Sequence, residues 1–384
     1  MPSSSKRQSH TASPPELTAK LVPRGVTVAP RTDGSPGVTV PVIGVPSRRV
    51  RRCPAGQMSL VVTIRQTGAP GGCSLRWCCE VRWREGRLWY TGDMGAPLIE
   101  LNSGVEIPQL GLGVWQATSE EAEHAVRFAI DDARYRHIDT AAAYGNEAGV
   151  GEGIASSSVL RSDVFLTTKL WNADHGYERA LAAVDTSLRA LGTDYVDLYL
   201  IHWPLQDRDQ LMRTWDAMEK ILADGKAHSI GVCNFEPHHL QWLIDRGGVL
   251  PAVDQVELHP HLQQRELRGF AGEHGIAVES WSPLGGTSGS GWGPNSKPNT
   301  VLSDSTIGDI AAKYGRSPAQ IVLAWHIRSG LIVIPKSVHQ DRIKQNITVF
   351  DFELDDEDME RIASLDNGER VGMHPDEMNL DAPS

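Results

Sequence analysis

The pattern of hydrophobic and polar residues alternates between two periods from residue 111 to residue 350. Short apolar runs, typical of strands buried on both faces of a parallel sheet, alternate with amphipathic stretches at helical spacing. The predicted strands are residues 111–115, 136–140, 164–170, 195–203, 227–235, 252–259, 276–284 and 330–337. Eight strand–helix units favour an α/β fold of the closed (β/α)8 type, a TIM barrel, over an open sheet.

A β-hairpin is predicted before the first unit, and a helix after each strand. Residues 97–113 hold two short apolar runs around Asn102-Ser103-Gly104, a typical turn sequence. Ser119 is predicted to cap the first helix. The predicted helices cover residues 119–133, 146–157, 177–191, 210–225, 237–247, 264–275, 304–315 and 341–350.

The nucleotide-binding motifs of open sheets and phosphate loops do not fit this sequence. Gly111 and Gly113 begin a Gly-x-Gly-x-x-Gly motif, but Gln116 occupies its third position. The glycine-rich segment 285–294 lacks phosphate-loop spacing and is predicted to be a mobile loop. Both observations strengthen the barrel interpretation.

Composition divides the 384-residue chain near residue 94. Residues 1–93 mix proline, serine, glycine and arginine without periodicity, and they carry 14 basic and 5 acidic residues. We predict that they are a disordered N-terminal extension, or sequence upstream of a start at Met94. Residues 94–384 are predicted to form the barrel domain.

One stretch of the extension suggests a different role. Trp77, Trp83 and Trp89 are interspersed with arginines in residues 74–90, a composition compatible with a nucleic-acid or membrane contact. No apolar run approaches the roughly 18 residues of a membrane span, and no secretory signal is expected. We therefore favour the interpretation without a nucleic-acid or membrane partner.

Charge and cysteine content characterise the barrel part. The chain has 37 basic and 48 acidic residues, so residues 94–384 hold 23 basic and 43 acidic ones, a net charge of −20. Such a surface favours solubility. Four of the five cysteines lie in the extension, which leaves Cys233 alone in the barrel. One cysteine cannot form an internal disulfide, so we predict a reducing, cytoplasmic location, and no metal site is predicted.

Polar residues concentrate at the carboxyl ends of the predicted strands, where barrels of this kind carry their active sites. They are Asp139, Tyr144, Lys169, His202, Asn234, Gln255, Glu257 and Glu279. Each alone has an ordinary structural explanation, such as helix capping or packing. Four complementary groups from three consecutive strands, namely Asp139, Tyr144, Lys169 and His202, together indicate a catalytic site.

These four groups suit the delivery of a proton to a carbonyl oxygen. A phenol with a pKa of about 10 is a poor acid at neutral pH. The Lys169 ammonium is expected to lower the pKa of Tyr144, while Asp139 holds Lys169 charged and His202 positions the carbonyl oxygen. Sugar hydrolysis by Glu257 and a second carboxylate, Glu279, is the alternative chemistry.

With "GLG" at 111–113, "IHWP" at 201–204 and "IPKS" at 334–337, these residues resemble the aldo-keto reductase superfamily over about residues 98–380. The segments "ESWSPLG" and "RVGMHPDEMN" are most similar to bacterial reductases of the 2,5-diketo-D-gluconate reductase type. The resemblance implies that Tyr144 is the general acid, that Lys169 and Asp139 tune it, and that His202 orients the substrate. It also implies a monomer that acts on a small-molecule carbonyl substrate.

The end of the barrel sequence predicts a phosphate site. Lys336, Ser337 and Val338 precede a predicted helix, and Arg342 and Asn346 are placed on its first turns. A helix N-terminus with added cations favours a phosphate, and an arginine with a lysine matches a 2′-phosphate, which implies NADPH over NADH. The hydrolase alternative gives these residues no role.

Other cofactor contacts are implied by the resemblance. Asn234 and Gln255 would hold the nicotinamide carboxamide, and Trp281 would stack on its ring. Ser282 and Leu284 would line the pyrophosphate.

The chain departs from the family pattern at three positions. Cys233 stands where serine is usual, Val114 where threonine is common, and Gln345 where an acidic residue is usual near the adenine. None belongs to the four catalytic residues, so we expect effects on cofactor affinity rather than on whether the reaction occurs.

Three tryptophans are predicted to form a substrate pocket. Trp115, Trp171 and Trp203 lie at strand ends beside His202. The tail after the last barrel helix is short, which is expected to leave the pocket open. The resulting hypothesis is NADPH-dependent reduction of aldehydes, ketones or keto-sugars to alcohols. The alternative is a non-catalytic NADPH-binding redox sensor or regulatory subunit.

Overall fold

The computed structural model describes residues 96–286 and 300–378 in full, together with the backbone of short strands between residues 19 and 91. The chain separates into two compact units, Met1–Asp93 and Met94–Ser384. The first unit has two antiparallel sheets, formed by Ala19–Val22, Gly25–Val28 and Val38–Val40 and by Arg48–Arg52, Met58–Ile64, Trp77–Arg84 and Arg87–Thr91. Its side chains and the glycine-rich segment 287–299 lie outside the described residues. The expectations about a disordered extension, its tryptophans and a mobile loop therefore stay predictions.

In the described part of the second unit, eight parallel strands pair in chain order, as predicted for a (β/α)8 barrel. They are β1 (Leu112–Gly113), β2 (His137–Asp139), β3 (Phe165–Leu170), β4 (Val196–Ile201), β5 (Ala227–Cys233), β6 (Val253–Glu257), β7 (Ala277–Trp281) and β8 (Ile332–Val333). Bridges from Leu110 to Val333 and from Gly113 to Lys336 join the first strand to the last. The sheet therefore closes on itself, and the carboxyl ends of all strands meet at one mouth.

Helices cover the outside of this sheet and connect its strands. They are α1 (Ser119–Asp131), α2 (Glu147–Ala155), α3 (Tyr177–Leu191), α4 (Arg208–Ala223), α5 (Pro237–Arg246), α6 (Arg265–Glu273), α7 (Ser305–Tyr314), α8 (Pro318–Arg328), α9 (Gln340–Ile347) and α10 (Asp356–Ala363). None of the helices in the described residues is long and apolar enough to cross a membrane.

The sequence predicted these helices except α8 and α10, and it misplaced one cap. Helix α8 is buried on nearly every side, so it lacks the amphipathic pattern on which the prediction rested. Ser119 is the first residue of α1, and Thr118 is its cap. The Thr118 side chain accepts a hydrogen bond from the Glu121 amide (3.2 Å), and the Glu121 carboxylate accepts one from the Thr118 amide (2.9 Å).

The predicted hairpin covers the amino ends of the strands. Leu98–Glu100 pairs antiparallel with Glu106–Pro108, and the Ser103 and Ser229 hydroxyls share a hydrogen bond of 2.7 Å. Its apolar side chains join a cluster with residues from the barrel interior, composed of Leu101, Ile107, Phe165, Leu198, Leu200, Ala252, Val253 and Ile332. The hairpin thus closes the bottom of the barrel and leaves the mouth as the accessible end.

Helix α2 packs so closely between α1 and α3 that glycine is required at several of its positions. A Cβ atom at Gly149 would lie 1.9 Å from the carbonyl oxygen of Ser119, and one at Gly151 would lie 2.4 Å from that of Leu191. The backbone there is helical. The requirement is therefore for the absence of a side chain, not for conformational freedom.

Gly149→Ala is expected to destabilise the protein by about 3 kcal/mol or more, because overpacking against backbone cannot relax by rotation of a side chain. In an open helix position the same change stabilises by roughly 0.5–1 kcal/mol. Gly308→Ala in α7, where nothing lies within 4 Å of the added Cβ, is the matched control. Urea unfolding of both variants measures the difference, and a Gly149→Ala protein as stable as wild type would contradict the packing described.

Candidate active site

The four side chains predicted to act together meet at the mouth of the barrel. Asp139 is the last residue of β2, Lys169 is the last but one of β3, and His202 directly follows β4. Tyr144 lies at the end of a 3-10 turn after β2, which Gly145 closes with a left-handed backbone (φ 65°). The parallel arrangement of the three strands brings these groups to one rim, as the sequence predicted.

Lys169 occupies the centre of this group. Its Nζ atom lies 2.6 Å from Asp139 Oδ1, 2.9 Å from the Thr140 carbonyl oxygen and 3.5 Å from the Tyr144 hydroxyl oxygen. The same atom is 5.1 Å from the centre of the Tyr144 ring. The Lys169 side chain is fully buried, so the phenol is linked to an ion pair that is shielded from water.

The electrostatic balance favours the charged form of this pair. Burial disfavours the Lys169 ammonium, but Asp139 and Tyr144 outweigh it and the pKa of Lys169 is raised. Burial raises the pKa of Asp139, and Lys169 and Gln255 act in the opposite direction without reversing that shift. Asp139 Oδ2 also accepts a hydrogen bond of 2.8 Å from Gln255 Nε2. The ion pair is the state that these contacts support.

Tyr144 keeps its proton at neutral pH. Burial raises the pKa of Tyr144 above its ordinary value, and Lys169 acts to lower it without reversing the shift. The sequence therefore predicted the direction of the lysine's own effect, but the expectation of a lowered pKa is wrong for the net value. A phenol of this kind is a proton donor that releases its proton only when a stronger base develops beside it.

His202 is neutral and packed between two aromatic rings. Burial and the Lys169 charge hold the pKa of His202 well below its usual range. Its ring meets those of Tyr144 and Trp171 edge-on, with centroids 5.7 and 5.2 Å apart. Its Nδ1 atom is buried without a hydrogen-bond partner in the described part of the chain. A neutral imidazole in this position can orient a polar substrate atom without acting as an acid.

The predicted carboxamide-binding residues lie beside these four groups. Asn234, with a left-handed backbone (φ 63°), donates to the His202 carbonyl oxygen (3.0 Å) and accepts from Trp281 Nε1 (2.8 Å). The Gln255 amide nitrogen donates to both Asp139 and Glu279, at 2.8 Å each. Both of its protons are thereby used, and its oxygen lies 3.8 Å from the Cys233 thiol. The remaining lone pair of that oxygen is able to accept from a ligand.

The predicted phosphate-binding residues surround the start of α9. Lys336 and Arg342 are exposed there, and Val338 is half-buried. Ser337 is buried and accepts a hydrogen bond of 3.1 Å from the His339 amide. Asn346 is buried in the last turn of the eight-residue helix, so its predicted place on the first turns is wrong. On the β7 side, Ser282 (φ 46°) and Leu284 directly follow the strand.

The three predicted pocket tryptophans differ in what they expose. Trp115 and Trp171 are half-buried at the ends of β1 and β3. Trp203 is only 3% exposed, so it offers little surface to a substrate. Trp115 and Trp171 are the better candidates for a pocket wall.

The tail after α10 lies against the mouth, which the sequence did not predict. The amides of Val371 and Gly372 donate to the two Glu257 carboxylate oxygens over 2.6 and 2.8 Å. A Cβ atom at Gly372 would lie 2.6 Å from the Trp281 ring. The tail is short, but it packs on Trp281 instead of leaving this side open. Glu257 anchors the tail, so the alternative of sugar hydrolysis lacks one of its two free carboxylates.

Comparison with known proteins gives the class of this chain. Residues 109–367 match the model of the aldo/keto reductase family. Methylglyoxal reductase DkgA of Escherichia coli K12 is 49% identical over 280 residues, which cover 73% of this chain and 97% of DkgA. Morphine 6-dehydrogenase of Pseudomonas putida is 50% identical over 290 residues, covering 75% and 97% of the two chains. The protein therefore belongs to the aldo/keto reductase family of oxidoreductases, as the sequence predicted.

Solved structures agree with this assignment. An aldo/keto reductase from Brucella melitensis is 52% identical, with a TM-score of 0.66, and the match covers 71% of this chain and 99% of that one. A Gox0644 variant crystallised with NADPH is 44% identical, with a TM-score of 0.68 and coverage of 74% and 99%. The matches extend over nearly the full length of these proteins.

Proposed function

We propose that this protein is an NADPH-dependent carbonyl reductase that converts aldehydes, ketones or keto-sugars to alcohols. The observation that carries the proposal is the buried Lys169 ammonium, which contacts both the Asp139 carboxylate and the Tyr144 hydroxyl at the mouth of the barrel. This arrangement suits one task, the transfer of a proton to an oxygen that gains negative charge.

The residues of the chain supply the proton and fix the geometry of the reaction. NADPH, when bound, supplies a hydride to the carbonyl carbon. Tyr144 donates its proton to the carbonyl oxygen, and the Lys169 ammonium stabilises the phenolate that remains. Asp139 keeps Lys169 charged throughout. His202 is neutral beside Tyr144, so it orients the carbonyl oxygen without competing for the proton.

The residues around the mouth fit NADPH in three ways. The Gln255 oxygen, which lies 3.8 Å from the Cys233 thiol, keeps a second lone pair for the carboxamide N–H. The Trp281 ring is positioned by its hydrogen bond to Asn234 and by the tail. The exposed Lys336 and Arg342 at the start of α9 favour a phosphate. The complex of Gox0644 with NADPH supports the same cofactor.

The relatives support small carbonyl or alcohol substrates but differ in which one they name, methylglyoxal in DkgA and morphine in the Pseudomonas enzyme. The half-buried Trp115 and Trp171 favour a partly aromatic pocket. We further propose a cytoplasmic monomer, consistent with the buried free thiol of Cys233, without nucleic-acid or membrane partners.

The test follows the loss of NADPH absorbance with a panel of aldehydes, including methylglyoxal, and of 2-keto-sugars. The full chain is compared with a protein that starts at Met94. Turnover in both supports the reductase and makes the first unit dispensable. NADPH binding, seen as tryptophan quenching, without turnover of any substrate would instead favour the non-catalytic sensor.

Arg342→Ala is expected to weaken NADPH binding about tenfold or more and to leave NADH binding unchanged, because only NADPH carries the 2′-phosphate. Lys344→Ala on the same helix is the matched control, since Lys344 lies over the Phe128 ring, 4.9 Å from its centroid. Fluorescence titration with both cofactors measures the difference. Equal losses for NADPH and NADH would contradict the assignment of Arg342.

A further inference from the structure

A chain of polar side chains runs from the catalytic ion pair into the closed part of the barrel, and the proton donation proposed above does not use it. Gln255 on β6 is the direct neighbour of Glu279 on β7 in the parallel register. Its amide nitrogen donates to Glu279 Oε2 and, across the barrel interior, to Asp139 Oδ2. Glu279 is fully buried and so is His137, whose Nε2 lies 3.6 Å from Glu279 Oε1.

The contacts of His137 show which atoms in this row of polar side chains carry protons. The Pro108 carbonyl oxygen can only accept, so the His137 Nδ1 atom, 3.2 Å away, must carry the proton. Burial holds the pKa of His137 far below its usual value, to about 3, so the ring is neutral. Its Nε2 atom therefore carries a lone pair, which lies 3.4 Å from the Thr167 hydroxyl oxygen and 3.6 Å from Glu279 Oε1. An ionised Glu279 would place a second lone pair against it.

Glu279 Oε1 has no other hydrogen-bond partner in the described part of the chain. A proton on Oε1 removes the conflict with His137 and leaves Oε2 free to accept from Gln255. The charged and titratable groups that face Glu279 are Asp139, Lys169, His137 and Cys233, from β2, β3 and β5. Lys169 is already paired with Asp139, so none of these groups supplies a free cation that would stabilise a second carboxylate.

We propose that Glu279 is a positioning residue that acts as a neutral carboxylic acid and fixes the Gln255 amide. In this role it directs both Gln255 protons, one to Glu279 itself and one to Asp139, and turns the Gln255 oxygen away from Asp139. It thereby holds Asp139 against Lys169 without adding charge beside them. The proposal rests on the proposed reductase function for its effect on turnover, but not for the protonation state of Glu279.

Two substitutions separate this role from simple packing. Glu279→Gln reproduces the neutral acid, because its oxygen can accept from Gln255 and its amide can donate to His137. Glu279→Met retains the length but offers neither contact. Asp254→Asn is the activity control: Asp254 is also buried, on the same strand as Gln255, but it contacts the Phe235 amide instead (3.4 Å).

The experiment measures kcat and KM for NADPH-dependent reduction of an aldehyde over a range of pH. Burial and Asp139 raise the pKa of Glu279 to about 8. We expect wild type to lose kcat above that pH and Glu279→Gln to keep a wild-type kcat, within about threefold, without that loss. Glu279→Met should lose kcat about 10- to 100-fold at every pH with little change in KM for NADPH, as expected for misplaced catalytic groups. Asp254→Asn should follow wild type.

A second readout does not need activity. A carboxylic acid whose pKa is higher in the folded than in the unfolded protein stabilises the fold at low pH. That contribution is lost as the pH rises from the pKa of the unfolded state to the pKa of the folded state. The melting temperature of wild type should therefore fall more steeply than that of Glu279→Gln as pH rises toward 8. Coinciding slopes would overturn the neutral acid, even if no substrate is found.

Two kinetic results would also overturn the proposal. Glu279→Gln as slow as Glu279→Met at neutral pH would mean that a carboxylate is needed. A wild-type kcat in Glu279→Met would mean that Gln255 needs no support from this position.

Discussion

Tyr144→Phe is expected to lower kcat for carbonyl reduction by about 10²- to 10⁴-fold, the range that a positioned general acid contributes. Phenylalanine keeps the ring that packs edge-on against His202 but lacks the hydroxyl 3.5 Å from Lys169. The NADPH dissociation constant should therefore remain within about twofold of wild type. Single-turnover kinetics with an aldehyde, combined with a fluorescence titration of NADPH, measures both quantities.

Tyr177→Phe is the matched control for this substitution. Tyr177 begins α3 and is 37% exposed, so loss of its hydroxyl should leave kcat unchanged. If Tyr144→Phe retained a kcat close to that of wild type, another group would have to donate the proton.

Lys169→Met is expected to reduce both activity and stability. Without the ammonium, the phenolate loses its stabilising charge, and kcat should fall by at least about 10²-fold. Asp139 would then be a buried carboxylate without its cation, a change that costs about 3–5 kcal/mol of unfolding free energy. Urea unfolding and turnover measure the two effects separately.

Two further variants separate the loss of activity from the loss of stability. Lys169→Met combined with Asp139→Asn removes the buried charge, so it should regain most of the lost stability but none of the activity. Lys226→Met breaks an ion pair with Asp185 whose side chains are 31% and 44% exposed, and it should cost at most about 1 kcal/mol. A Lys169→Met protein as stable as Lys226→Met would show that Asp139 is not an isolated charge after the substitution.

The sequence predicted the elements whose pattern depends on one buried face. Helix α3 begins and ends at the predicted residues because its amphipathic stretch is bounded by Gly176 and Gly192. Asp139, Lys169 and His202 were predicted to be catalytic because each is a polar residue at the end of an apolar strand. Tyr144 joined them because it follows the second strand after a short turn. Helix α8 was missed because it is buried almost all round, so no polar face marks it.

Features that depend on distance in three dimensions could not be predicted. The net pKa of Tyr144 depends on how completely the barrel removes water from the phenol, which no local pattern records. The link from Gln255 to Asp139 joins residues 116 positions apart across the barrel. Glu279 was recognised as a polar strand residue, but its neutral state depends on the Pro108 carbonyl beside His137.

The glycines of α2 also define which parts of the fold tolerate engineering. Random mutagenesis for a more heat-resistant enzyme would lose most variants at Gly149 and Gly151, where any side chain meets a backbone carbonyl. Helices α6 and α7 are the opposite case, since a Cβ atom at Gly269, Gly272 or Gly308 would have nothing within 4 Å. A focused library would therefore leave α2 constant and begin with alanine at those three positions, far along the chain from Asp139 and Lys169.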